Sequence, residues 1–314
     1  MKYLPDGLIL KPPRPKGVSF GGEFRFRILD EFGNVKRETD WCANLVTNYG
    51  LDTIGNTSGA TFATYLRIGT GNTAAAYTDT QLVSQSAFTS NNIATTSVNN
   101  GAPNYETAIT VTYNFALGAV VGNMAEIGVG TASTGATLCS RALIVDNVGT
   151  PTTITVLVSE ILQVIYRFTC YPNLVDSTGS VTIGGVSYGY TSRQFNVSLV
   201  LAINPQAVVF FNSVFAPTAY NGVISAYTGS GPAGTSANFA SGALLAYTAG
   251  NYYRDFTLSA ALADANVAGG ITAIKFSLGS FGSVFQTQVG FGTAIPKDNT
   301  KALTITLRQF FSHH

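Results

Sequence analysis

Apolar and polar residues alternate with a period of two in one segment after another of this 314-residue chain, the pattern of strands that bury one face and wet the other. Phe24, Phe26 and Ile28 alternate with Glu23, Arg25 and Arg27, and Glu31-Phe32-Gly33-Asn34 intervenes before residues 35–39, so this segment reads as a β-hairpin. The pattern returns over residues 65–68, 109–115, 142–145, 153–168, 196–203, 208–215, 256–261, 272–278 and 302–310. Residues 180–188 give the clearest hairpin, because Gly184-Gly185 supplies the positive φ values that a primed two-residue turn requires. Helix is scarce. Residues 44–54 contain Gly50, which costs a helix about 1 kcal/mol relative to Ala, and they read as either a short helix or a turn. The fold class expected is all-β.

The chain also resembles itself. Residues 104–130 align without gaps on residues 251–277 at a constant offset of 147. Asn104/Asn251, Tyr105/Tyr252, Thr110/Thr257, Val120/Val267, Gly122/Gly269 and Ile127/Ile274 are identical, and Ile109/Phe256, Val111/Leu258 and Met124/Ile271 are conservative replacements. Pro151 and Pro296 precede closing strands, and Gly69-Thr70-Gly71 answers Gly229-Ser230-Gly231. An internal duplication predicts two tandem β-sandwich-like domains, residues 19–170 and 171–314, each with enough strands to close its own core. Residues 1–18 precede them as an extended arm, since Lys11-Pro12-Pro13-Arg14-Pro15-Lys16 disfavours helix.

Charge is sparse and unevenly placed. Only 11% of residues are charged and the net charge is +1, so the chain has no electrostatic footprint for nucleic acid or an anionic membrane. Residues 1–40 hold 14 of the 33 charged side chains, which leaves flanks suited to cover by other chains, because charge is depleted at interface centres. Cys42, Cys139 and Cys170 are odd in number and lack metal-site or redox spacing, so they are expected as buried thiols made in a cytoplasm. Residues 1–16 carry Pro5, Asp6, Pro12 and Pro13 where a signal peptide needs an apolar core, and residues 115–121 and 155–168 are too short or too interrupted to span a bilayer. Neither export nor membrane insertion is expected.

No constellation for chemistry stands out. The two histidines, His313 and His314, end the chain, which excludes a Ser-His-Asp arrangement inside the fold and reads as a frayed tail. The acidic residues beyond position 40 are Asp52, Asp79, Glu106, Glu126, Asp146, Glu160, Asp176, Asp255, Asp264 and Asp298. Nothing marks two of them as a glycosidase pair, and turns or edges account for them more simply. Gly69-Thr70-Gly71-Asn72 lacks the third glycine and the helix of a nucleotide loop. Catalytic, cofactor-binding and metal-ligating residues are therefore none. Tyr188, Tyr190, Tyr220, Tyr227, Tyr247, Tyr252 and Tyr253 concentrate in the second half, where they serve either as core filling or as a recognition surface.

Several short motifs in order carry a resemblance. Asn44-Leu45-Val46-Thr47-Asn48-Tyr49-Gly50-Leu51-Asp52 is followed by Tyr65-Leu66-Arg67-Ile68-Gly69-Thr70-Gly71 and Asp79-Thr80-Gln81-Leu82. Ala125-Glu126-Ile127-Gly128 and Leu138-Cys139-Ser140-Arg141-Ala142-Leu143 continue the series. Over residues 20–168 this resembles a module of tailed-bacteriophage virion structural proteins of the tail fibre and baseplate-associated kind. The resemblance implies a non-enzymatic component of the virion, synthesised in the host cytoplasm. Its partners would be other virion proteins, further copies of itself and a host surface receptor. Coiled-coil heptads and fibrous repeats are missing, so a compact attachment or baseplate protein fits better than a fibre shaft. The alternatives are a capsid decoration or neck protein and a host-glycan-binding receptor module. Leu8, Leu10, Lys11, Arg14 and Lys16 are the expected assembly contacts, an apolar strip and basic groups that need a partner surface.

Overall fold

The computed structural model describes residues 17–56, 62–99, 106–199, 213–227, 231–280 and 283–314. The first half contributes β1 (Val18–Leu29), β2 (Val35–Glu38), β3 (Cys42–Val46), α1 (Asn48–Gly55), β4 (Tyr65–Gly69), β5 (Gln85–Thr89), β6 (Asn92–Asn99), β7 (Thr107–Asn114), β8 (Gly122–Met124), β9 (Glu126–Gly130), β10 (Leu138–Leu143), β11 (Ile154–Val156) and β12 (Ile161–Tyr171). The second contributes β13 (Ser177–Ile183), β14 (Val186–Leu199), β15 (Ser213–Tyr220), β16 (Ser236–Asn238), β17 (Ser241–Leu244), β18 (Tyr253–Ala260), β19 (Ile271–Ser280), β20 (Ser283–Ile295) and β21 (Leu303–His313). The chain is all-β.

The two halves order their strands alike. In the first, β3-β10-β9-β4-β5 runs as one layer while β6-β7-β12 joins β1 as the other. In the second, β14-β20-β19-β15-β16 and β17-β18-β21 repeat those two orders. Of the residues paired by the 147-residue offset, Ile109 and Phe256, Val111 and Leu258, Met124 and Ile271, Ile127 and Ile274 are all buried. Gly122 (φ 107°) and Gly269 (φ 80°) both take the left-handed backbone that glycine tolerates. Asn104, Tyr105, Gly229 and Ser230 lie outside the described residues, as do parts of the strands expected over 196–203 and 208–215.

Aromatic packing holds the first half together. Phe24 and Tyr166 face each other in the β1–β12 register and stack at 4.7 Å, and Phe168 packs on Phe20 at 5.7 Å and on Phe62 at 4.7 Å. The hairpin at residues 180–188 forms as expected, with Ile183 opposite Val186 and Gly184 and Gly185 at φ 56° and 82°. Residues 153–168, expected as one strand run, form two strands instead. Glu160 breaks the run: its carboxylate accepts the Leu157 N–H at 2.9 Å and closes a turn between β11 and β12.

The segment read as helix or turn is a helix, capped by Thr47, whose hydroxyl accepts the Gly50 N–H at 3.0 Å. Gly50 is there for packing, since a Cβ at that position would lie 2.1 Å from the Cys139 carbonyl oxygen. The three cysteines are buried free thiols, and burial pushes the Cys139 thiol up to about 12.

The first and last strands pair. Val18, Ser19 and Phe20 pair in parallel with Phe311, Ser312 and His313, so the last strand of the second half joins the first strand of the first. Asp52 of α1 reinforces this seam by accepting the Tyr247 hydroxyl and the Gly250 N–H, each at 2.7 Å. The terminal histidines are therefore not a frayed tail. His313 stacks on Tyr77 at 3.9 Å and its Nε2 lies 3.1 Å from Asn48 Oδ1, while His314 stacks on Tyr171 at 3.6 Å. Pairing with β1 captures residues that position along the chain alone would leave loose. Among the described residues no helix is long and apolar enough to cross a membrane.

Candidate functional site

The ordered motifs of the first half converge on one buried ionic clasp. Glu126, 0% exposed, sits on β9 and Arg141 on β10, and the Arg141 Nε and Nη2 donate to its Oε2 at 3.0 and 2.9 Å. The same carboxylate accepts the backbone N–H groups of Gly71, Val83 and Ser84 at 3.1, 3.0 and 2.6 Å. Arg141 also reaches Asp79 Oδ2 at 2.7 Å and the Thr73 carbonyl at 2.8 Å. The glycines of Gly69-Thr70-Gly71 keep this space open, since a Cβ at either would come within 2.8 Å of Glu126 Oε1. Arg67 on β4 binds the 131–137 loop through the carbonyls of Ala132 and Gly135 at 2.9 and 3.0 Å. Two surface loops are thereby fixed to the sheet by buried charges whose hydrogen bonds are filled by protein.

Other carboxylates are also engaged. Glu160 is held below the usual range by its hydrogen bond to Lys36, with Arg37 also 3.1 Å away. Asp176 is held down by a two-pronged contact from Arg193, and Asp298 by Lys301.

The first half also exposes apolar loop tips at one end. Phe32 (83% exposed) and Val35 on the charged hairpin lie on the β2 side, where Lys36 and Arg37 grip Glu160. Val158 (70% exposed), Leu157 and Leu117 flank that contact, joined through the Gly118 N–H to the Glu160 carbonyl at 3.4 Å. Clustered apolar side chains on a surface mark interaction sites.

The second half holds a cleft of about 800 Å³ between its six-stranded sheet and β21, a size in the range of small-molecule sites. Gln194 on β14 and Thr287 on β20 face each other in register on its wall, at 6% and 2% exposure. Gln194 Oε1 accepts the Asn173 N–H at 2.6 Å, which fixes the amide, yet its Nε2 and the Thr287 hydroxyl have no hydrogen-bond partner among the described residues. Ser192 and Tyr190 continue the β14 wall, and Asp255 and Arg308, paired at 2.7 and 2.8 Å, close the other side.

Of the tyrosines singled out in the sequence, Tyr190 lines this cleft, whereas Tyr188 is buried, Tyr247 bonds Asp52 at the seam and Tyr253 lies under Arg308 at 3.6 Å. They do not form one recognition surface. Leu8, Leu10, Lys11, Arg14 and Lys16, the expected assembly contacts, lie outside the described residues. The sequence signal for Gln194 and Thr287 was nil, because their meaning depends on a register between distant strands. No family model, curated protein or solved structure matches the chain.

Proposed function

We propose that this chain is a non-enzymatic structural component of a tailed-bacteriophage virion, most compatible with a tail- or baseplate-associated attachment protein that self-associates. The observation that carries the reading is the clasp. Asp79, Glu126 and Arg141, drawn from three separate motifs of the resemblance, join to hold one loop, and Arg67 from a fourth holds a second. A spatial role shared by the motifs explains why their order recurs as a unit. Charges spent on internal hydrogen bonds suit a scaffold, and the apolar tips around Phe32, Val35 and Val158 supply a surface for neighbouring subunits. A capsid decoration or neck protein would use the same features at another position.

The test is composition of particles. Virions produced from the encoding genome should contain the chain in fixed stoichiometry, and gold-labelled antibody should mark their tails. Labelled heads or necks would move the protein to the alternative position, and its complete absence from purified particles would reject the virion role. Incubation with host capsular polysaccharide should leave polymer length unchanged.

A further inference from the structure

We infer that the open edge of β21, beside the cleft of the second half, is a slot for an added strand, and that residues 10–16 of the same chain fill it. The first half shows what a filled slot looks like. There β12 is paired along both edges, with β1 over residues 161–171 and with β7 over residues 163–170. In the second half β18 takes one edge of β21 over residues 303–310, but β1 takes the other only at residues 311–313. Among the described residues no strand lies beside the rest of that edge. Its hydrogen-bonding groups follow from the ladder: the Phe311 N–H donates to the Tyr252 carbonyl on the β18 side, and the His314 N–H donates to the Phe20 carbonyl on the β1 side, each at 3.0 Å. Backbone groups alternate between the two sides of a strand, so Thr304, Thr306 and Arg308 aim theirs at the open edge, and Thr306 and Arg308 line the cleft.

The occupant is set by where the described chain begins. Gly17 lines the cleft against Phe310, whose carbonyl leaves no room for a Cβ there, and its φ of 111° bends the chain at the cleft mouth. The residues before it, outside the described set, therefore start beside the open edge. Their sequence suits such a place. Pro13 and Pro15 fall on one edge of an extended segment, while Arg14 and Lys16 carry their N–H groups on the other. A segment built this way pairs along one edge only, and its proline edge, turned outward, blocks the addition of a further strand. The hydroxyls of Ser177, Tyr190 and Ser192 on the cleft wall offer acceptors to the basic side chains. Strand addition does not rest on membership of a virion, so absence from particles would leave this inference standing.

Hydrogen exchange of the full chain, read residue by residue by NMR, tests this. The amides of Thr304, Thr306 and Arg308 should be protected like those of Ile305 and Leu307, which face β18. Arg14→Pro and Lys16→Pro each remove one N–H from the pairing edge, and each should speed exchange at Thr306 and Arg308 about tenfold, the order expected for one lost hydrogen bond. Lys11→Pro adds a proline to the outward edge and should leave those rates unchanged. Protection should also survive dilution. Fast exchange at Thr304, Thr306 and Arg308 in the unaltered chain would overturn the inference, as would a response to Lys11→Pro equal to that of Arg14→Pro. Protection that disappears on dilution would place a second copy's strand in the slot and would overturn it as well.

Discussion

Replacing Glu126 by Gln should cost this protein roughly 3–5 kcal/mol, the range for removing one partner of a buried ion pair. The substitution keeps the side chain's size, so the loss is electrostatic. Five hydrogen bonds now converge on the carboxylate: three from the backbone of Gly71, Val83 and Ser84 and two from Arg141. The amide keeps one acceptor oxygen and turns an NH2 group toward donors, while Arg141 retains Asp79 as its remaining carboxylate. With about 2–4 °C per kcal/mol for domains of 150–250 residues, the thermal midpoint should fall by about 6–20 °C. Calorimetry measures this directly, and amide exchange at Val83 and Ser84 should accelerate ahead of global unfolding. The double variant Glu126→Met with Arg141→Met should not restore stability, because three backbone donors remain unpaired at about 1 kcal/mol or more each. A loss under about 1 kcal/mol for Glu126→Gln, or full rescue in the double variant, would refute the view that this clasp holds the loops.

Acid should loosen the seam between β1 and β21. Burial depresses the His313 pKa below its ordinary 6.5, so the unfolded chain takes up the proton first. Stability from the neutral ring is complete above about pH 6.5 and is lost as pH falls toward the depressed folded value. The thermal midpoint should therefore drop between pH 7.5 and 5.5, and His313→Asn should flatten that slope. Separately expressed fragments 17–171 and 172–314 should co-elute on size exclusion, because the β1–β21 ladder and the contacts of Asp52 with Tyr247 and Gly250 cross between them. Two non-interacting fragments would show that the seam is too weak to matter. Gly50→Ala should destabilise by about 1–3 kcal/mol in urea titrations despite the better helix propensity of Ala, since the added Cβ would meet the Cys139 carbonyl at 2.1 Å.

Local features of this protein are legible along the chain because they have local causes. Alternation at Phe24, Phe26 and Ile28 marks a strand wherever that strand later pairs, and Gly184-Gly185 closes a hairpin through its own φ preferences. At the 147-residue offset, Gly122 and Gly269 both take left-handed backbone and Ile127 and Ile274 are both buried. What alternation could not show is where a strand stops when a polar residue turns the chain, as Glu160 does between β11 and β12.

Partner choice belonged to the tertiary structure. The motifs containing Asp79, Glu126 and Arg141 were visible as words in a series, but only the fold, with β9 beside β10, puts their charges within hydrogen-bond reach. The terminal histidines looked loose by position and are held by a strand almost 300 residues away, Val18 to Phe20. Gln194 and Thr287 carry no signal in the chain, since they meet only through a register across 92 intervening positions. Side-chain period and turn chemistry act over a few residues, so they mark individual strand segments and their apolar faces along the chain. Which polar groups find partners is settled by the fold, because hydrogen-bond satisfaction depends on atoms that neighbour one another in space alone.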